Sequence, residues 1–269
     1  MILYKSPLRY PGGKSRAVER IMAQIPATIA EYREPFVGGG SVYMGVRSLF
    51  GRSIRYAIND LNPDVIHFWR FVRDDLTALA DTIETFHAHY QEKGRELYAF
   101  LCDEHNMRSD FDRAVRFFIM NRITFSGVMD AGGYSEQAFE SRFTLSSIQR
   151  LRRLDGAVSG TAITCDDYET IIREPGQGVF IFLDPPYYSV AASRLYGKRG
   201  ELHTSFDHER FASIMKEIEH RWLITYDDSP HIRDLFRFAH ITSWELQYGM
   251  NNFMQGRAEK GREIFIRNY

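Results

Sequence analysis

Asp184-Pro185-Pro186-Tyr187 is the stretch of this chain best equipped for chemistry. Pro186 keeps Pro185 out of the helical region, and neither proline carries an N–H, so the backbone here offers acceptors and no donors. Asp184 adds a carboxylate, which only accepts when ionised. Acceptors gathered under an aromatic ring suit an NH2 group on a flat heterocycle. The same four residues could instead make a turn in which Asp184 caps the next segment.

The elements around it must place these groups. Val179 to Leu183 is an unbroken apolar run bounded by Gly176 and Gly178, which predicts a strand buried on both faces. In an open α/β sheet, ligands bind beyond the carboxyl ends of the strands, where Asp184 falls. Upstream, Tyr32-Arg33-Glu34-Pro35-Phe36-Val37-Gly38-Gly39-Gly40-Ser41 leads into a helical pattern through Val42, Val46 and Leu49. Strand, glycine turn and helix in that order make the first unit of a Rossmann-type half. A strand over Arg55 to Asn59 then ends at Asp60, 20 residues past Gly40, the spacing at which an acid grips ribose hydroxyls. The turn lacks the full G-x-G-x-x-G pattern. An adenosine ligand without phosphates fits it better than a pyrophosphate. Pro7 to Lys14 reads as a loop, followed by a helix through Val18, Ile21, Met22 and Ile25 that Pro26 stops. At that junction Lys14 could reach back over a ligand or simply face solvent.

From Pro63 onward the pattern turns helical, through Val65, Phe68, Trp69, Val72 and again Phe111, Ala114, Val115, Phe118. A loop rich in Gly and polar groups spans Asn121 to Tyr134, with many arginines around it. This predicts an inserted, mainly helical lobe over 63–155 between two parts of an α/β domain, 1–62 and 156–269. A helical cap with a solvated charged face is the other reading. Strands resume at Ala162 to Cys165 and at Trp222 to Tyr226. Asp207 could cap a helix through Phe211, Ile214, Met215 and Ile218, and His240 to Leu246 with Glu263 to Arg267 look like a closing pair.

Composition narrows the field. With 269 residues, 44% hydrophobic and 26% charged, the chain is ordinary for a globular protein. Its net charge of −1 gives no global pull toward nucleic acid, so DNA binding must rest on a local basic face. The cations are 28 Arg and 6 Lys. Arg suits phosphates and guanine edges, although a GC-rich coding sequence gives the same bias. Cys102 and Cys165 are too few for a disulfide framework. The nine His lack metal-ligand spacing, and no apolar run is long enough for a membrane span. No metal, no membrane and a reducing cytoplasm are therefore expected.

With these pieces in order, the sequence resembles the alpha-group, Dam-like DNA adenine-N6 methyltransferases. The resemblance is carried by Arg9-Tyr10-Pro11-Gly12-Gly13-Lys14, Glu34 to Ser41, Asn59-Asp60 and Asp184 to Tyr187, with weaker echoes at Cys165 to Tyr168, Thr204 to Phe206, Leu223 to Tyr226 and Glu263 to Asn268. It implies a Rossmann-like S-adenosylmethionine-dependent methyltransferase sheet with an inserted DNA-recognition lobe, acting on duplex DNA by base flipping. It leaves room for a cognate restriction endonuclease encoded separately. Carried over by residue, Asp184, Pro185, Pro186 and Tyr187 would be catalytic. Tyr10, Lys14, Pro35, Phe36, Gly38, Gly40, Ser41, Asp60, Asp167, Tyr168 and Asp184 would line the cofactor. Arg9, Arg116, Asn121, Arg122, Phe125, Ser126, Asp130 and Tyr134 would face DNA.

One departure bears on specificity. The family's recognition loop carries Asn and a final Arg that reads a guanine of GATC, where this chain has Ser126 and Asp130. A carboxylate cannot donate to guanine O6 or N7, though it could accept from cytosine N4. A site other than GATC is expected. The rival readings are another planar amine as target (cytosine N4, RNA adenine or a protein glutamine), a non-catalytic DNA-binding module, and a nicotinamide oxidoreductase. The last is disfavoured by the incomplete glycine fingerprint.

Overall fold

The computed structural model describes residues 3–10, 13–125, 133–188, 206–246 and 261–269. Their strands are β1 (Glu31–Glu34), β2 (Arg55–Asn59), β3 (Thr161–Thr164), β4 (Val179–Leu183), β5 (Arg221–Asp227), β6 (His240–Leu246) and β7 (Gly261–Arg267). They form one sheet in the order β3-β2-β1-β4-β5-β7-β6. The first five are parallel, and β7 enters antiparallel between β5 and β6. The α/β class and the closing pair read from the sequence are both present, the pair being antiparallel.

Period-two alternation divides the core between the faces of the sheet. On β4, Phe180 and Phe182 join one apolar cluster, while Val179, Ile181 and Leu183 join the other. β5 and β7 divide likewise, with Leu223 and Phe265 on the first side and Trp222, Ile224, Tyr226, Ile264 and Ile266 on the second. Full burial of each such side chain stabilises by about 1.5–3 kcal/mol.

The crossover from β2 to β3 holds six helices among the described residues: α3 (Pro63–Asp74), α4 (Leu76–His89), α5 (Gly94–Cys102), α6 (Asp110–Ile123), α7 (Glu136–Arg142) and α8 (Leu145–Arg152). The remaining α-helices are α1 (Val18–Met22), α2 (Ser41–Phe50), α9 (Tyr168–Arg173), α10 (His208–Glu217) and α11 (Pro230–Leu235). Side-chain caps start them where the sequence changes period. Asn62 accepts from the Asp64 amide ahead of α3, Asp75 caps α4, Ser109 caps α6 and Asp207 caps α10. The apolar faces of α3, α4 and α6 share the larger core cluster with β1, β2 and β4. The 63–155 segment is thus rooted in the sheet's own core. No described helix is long and apolar enough to cross a membrane.

Candidate active site

β1 pairs with β2 on one side and β4 on the other, so the strand order reverses between β1 and β4. Ligands bind at such a switch point, beyond the carboxyl ends of the strands. Three acids stand at those ends: Glu34 on β1, Asp60 after β2 and Asp184 after β4.

The glycine turn after β1 is fixed by its neighbours. Gly38 (φ +43°) and Gly40 (φ +64°) occupy the left-handed region that side chains disfavour. A Cβ at Gly38 would lie 2.8 Å from the Tyr10 ring, and one at Gly40 only 2.5 Å from Trp69. Trp69 also donates its indole N–H to the Gly38 carbonyl at 3.0 Å. Helix α3 therefore holds the floor of the turn, and the N-terminal loop holds its roof.

Asp60 completes the turn. Its Oδ2 accepts from the Gly38 amide at 2.8 Å and its Oδ1 from the Asn62 amide at 2.9 Å. Burial pushes this carboxyl up to about 6 against the pull of those amides. Asn59 ties the strand ends together. Its amide donates to the carbonyls of Pro35 (3.1 Å) and Asp166 (2.9 Å), and its oxygen accepts from Thr164 and the Asp166 amide. Glu34 lies beneath, 3% exposed, accepting from the Tyr32 hydroxyl at 2.5 Å. Burial holds its carboxyl well above the usual range, and the nearby charges of Asp184 and Asp60 add to this.

An aromatic wall adjoins the turn. Phe36, Tyr168 and Phe206 have ring centroids 5.3–5.8 Å apart. Arg210 lies over Tyr168 at 5.1 Å and binds both oxygens of Asp167 at 3.1 Å. Asp167 also caps α9 by accepting from the Glu169 amide. Its carboxylate is therefore already engaged, whereas the Tyr168 ring forms part of the wall. Ser41 begins α2 directly after the turn. A flat apolar wall, a tight glycine turn and a buried acid next to it fit an adenosine-bearing ligand.

The second half of the site surrounds Asp184. Lys14 Nζ lies 2.8 Å from Asp184 Oδ1, and the lysine side chain is 4% exposed. Of the two positions open to Lys14, the structure gives the one turned inward. The same ammonium sits 4.7 Å from the centroid of the Tyr187 ring. Thr225 Oγ1 on β5 donates to Asp184 Oδ1 at 2.7 Å. Pro185 is buried, Pro186 and Tyr187 are half-buried, and Tyr187 leans on the Tyr226 ring at 6.0 Å.

Two of the residues expected to face DNA spend their side chains inside the protein in this structure. Asn121 is 1% exposed and spends its side chain on the backbone of Arg9, accepting from its N–H at 2.9 Å and donating to its carbonyl at 2.6 Å. Arg116 is also buried, donating to the Leu101 carbonyl at 2.9 Å and pairing with Asp64 at 3.1 Å. Both lie on the inward face of α6 and build the lobe. Arg122 is 3% exposed over the Phe118 ring, and its Nε has no hydrogen-bond partner. Burial lowers its guanidinium to about 9, helped by the charges of Arg150, Arg9 and Arg142. Phe125 is 67% exposed, Arg9 is surface-accessible, and Tyr134 pairs through its backbone with Thr124. Ser126 and Asp130 lie outside the described residues, as do Pro11 and Gly12.

Sequence reasoning gave no role to Thr225, Trp69 or Arg210, and none to Asn59 beyond its motif. Thr225 and Asn59 do carry a signal, each being a polar residue that directly follows apolar positions in the second half of its strand. Trp69 read only as one more apolar position of a helix. Among the described residues, no group of three or more His, Cys, Asp or Glu could hold a metal ion.

A family model described as D12 class N6 adenine-specific DNA methyltransferase matches residues 10–250. The chain is 28% identical over 244 residues to a DNA adenine methylase of Vibrio cholerae serotype O1, covering 87% of this chain and 85% of that one. It is 24% identical over 244 residues to a type II methyltransferase of Lactococcus lactis subsp. cremoris, covering 85% and 75%. A DNA N-6-adenine-methyltransferase of Escherichia phage P1 is 25% identical over 239 residues, covering 86% of this chain but only 31% of the phage protein.

Proposed function

The chain belongs to the D12 class of N6 adenine-specific DNA methyltransferases, and from that premise we propose that it methylates the N6 amino group of adenine in duplex DNA at a short site other than GATC, with S-adenosylmethionine as donor. The observation that carries the reading is the acceptor cluster of Asp184 and Pro185, set at the switch point beside the glycine turn. When bound, S-adenosylmethionine would supply an electrophilic methyl group: attack by the amino nitrogen would break the methyl–sulfur bond in line, the thioether would leave as S-adenosylhomocysteine, and N6 would then lose a proton, with no covalent enzyme intermediate.

The protein's own part is to bind and orient. Tyr10, Lys14 and Pro35 would lie by the donor, the turn through Phe36, Gly38, Gly40 and Ser41 would hold its amino-acid end, Asp60 would accept from its ribose, and Tyr168 would flank its adenine. An adenine amino nitrogen is a poor nucleophile because its lone pair is delocalised into the ring. Asp184 and the Pro185 carbonyl accept its two hydrogens, which favours a more tetrahedral nitrogen with the lone pair aimed at the methyl group. Asp184 then disperses the positive charge developing on N6. Orientation of this kind is worth effective molarities of about 10⁵ M or more, and preorganised acceptors add to it. Flipping the base out of the duplex costs a few kcal/mol, offset by stacking on Tyr187.

Residues 63–155 form the recognition lobe in this reading. The departure from GATC rests on Ser126 and Asp130 in its loop. Incubating the chain with methyl-labelled S-adenosylmethionine and duplex DNA, then separating the nucleosides, tests the reaction. Label in N6-methyladenine supports it, whereas label in N4-methylcytosine, or none in the DNA when RNA or protein offered in a parallel incubation is labelled, overturns it.

A further inference from the structure

We propose that Thr225 is a positioning residue for Asp184, fixing which carboxylate oxygen is offered to the target amino group. The proposal rests on the reading of Asp184 as the amino-group acceptor. β4 and β5 are parallel with Leu183 level with Ile224, which brings Thr225 level with Asp184. Thr225 is fully buried, and its Oγ1 lies 2.7 Å from Asp184 Oδ1. A carboxylate oxygen only accepts, so the hydroxyl is the donor. Lys14 Nζ reaches that same oxygen at 2.8 Å. Both bonds fall on Oδ1, so they hold one corner of the carboxylate, and in the proposed function Oδ2, which takes part in neither, is the oxygen offered to the amino group.

The two donors are not equivalent. Lys14 stands on a long side chain at the end of a loop and supplies charge. Thr225 is β-branched, with a stiff χ1, and is locked in a central strand between Ile224 and Tyr226. It supplies direction. A hydroxyl buried in an apolar strand is costly unless it is hydrogen-bonded, and here its bond goes to the one side chain whose orientation decides where the amino group sits. Thr225 touches no reacting atom itself, so its effect runs entirely through Asp184.

The test compares Thr225→Val and Thr225→Ser in the full chain, using duplex DNA and labelled S-adenosylmethionine, each also in an Asp184→Ala background. Valine keeps the shape and removes the donor, and thermal melting checks that the fold persists. The expected result is a fall in kcat of roughly ten- to hundredfold for Thr225→Val. S-adenosylmethionine Kd and DNA KM should stay near wild type, with most of the rate restored by Thr225→Ser. In the Asp184→Ala background the valine should have no further effect, because the two residues act through one bond. Wild-type kcat in Thr225→Val would overturn the proposal, as would a loss that serine does not restore or a loss carried by donor binding. Full activity in Asp184→Ala would instead defeat the underlying reading of the acceptor, which keeps the two failures apart.

Discussion

At the scale of single residues, the site is governed by how far each carboxyl is removed from water. Asp60 is pushed up to about 6 by burial, so it ionises only above that pH. Its ionised form accepts from the Gly38 amide and, in the proposed function, from a ribose hydroxyl. Donor binding should therefore strengthen as pH rises through about 6 and weaken below it. Calorimetric titration with S-adenosylmethionine on both sides of that pH checks the slope, and Asp60→Asn should flatten it. Asp60 has the opposite effect on stability, because ionising a buried acid is unfavourable: its folded pKa lies above the ordinary 3.8, so its contribution is fullest below that value and is lost as pH rises through about 6. A donor affinity unchanged across this window would count against Asp60 as the ribose ligand.

At the scale of elements, the glycine turn and helix α6 give contrasting expectations. Gly40→Ala would press a Cβ to 2.5 Å from Trp69 in a left-handed backbone, so it should lower Tm by several degrees and weaken donor binding together. On α6, Arg116→Ala would leave buried Asp64 without its closest guanidinium, costing about 3 kcal/mol or more in a denaturant titration. Arg122→Ala should behave differently. It removes a buried guanidinium whose Nε lacks a partner and which is already destabilised by burial, so stability should hold or rise. If Arg122 meets a phosphate, the same variant should weaken DNA binding at every sequence and reduce the salt slope by about one. Equal loss of stability in both arginine variants would contradict this division. The contrast also shows the limit of the sequence. Arg116, Asn121 and Arg122 are alike as polar residues on a helix; packing shows that all three are buried and that the first two spend their side chains on the protein's own groups, whereas Arg122 Nε has no such partner.

At the scale of the whole molecule, the strands were largely legible along the chain, because β4 and β5 carry apolar runs that only a sheet covered on both faces can bury, whereas their order in the sheet was not. β2 and β6 were readable at their ends, and Asp207 was readable as a cap. The bonds across the site were not. Lys14 to Asp184, Thr225 to Asp184 and Asn121 to Arg9 join residues 170, 41 and 112 positions apart, and no local pattern encodes such pairs. The net charge of −1 also sets an expectation here. With little long-range attraction, DNA affinity must come from local arginines and the recognition loop.

The most direct test of the central claim is base-resolved methylation sequencing of DNA from a methylation-deficient host expressing this chain, beside its Asp184→Ala variant. The account predicts N6-methyladenine in one short motif other than GATC, and none with the variant. Methylation that survives Asp184→Ala would contradict the proposed acceptor. GATC as the preferred site would contradict the reading of Ser126 and Asp130. No modified base, from protein that binds S-adenosylmethionine, would contradict adenine in DNA as the target.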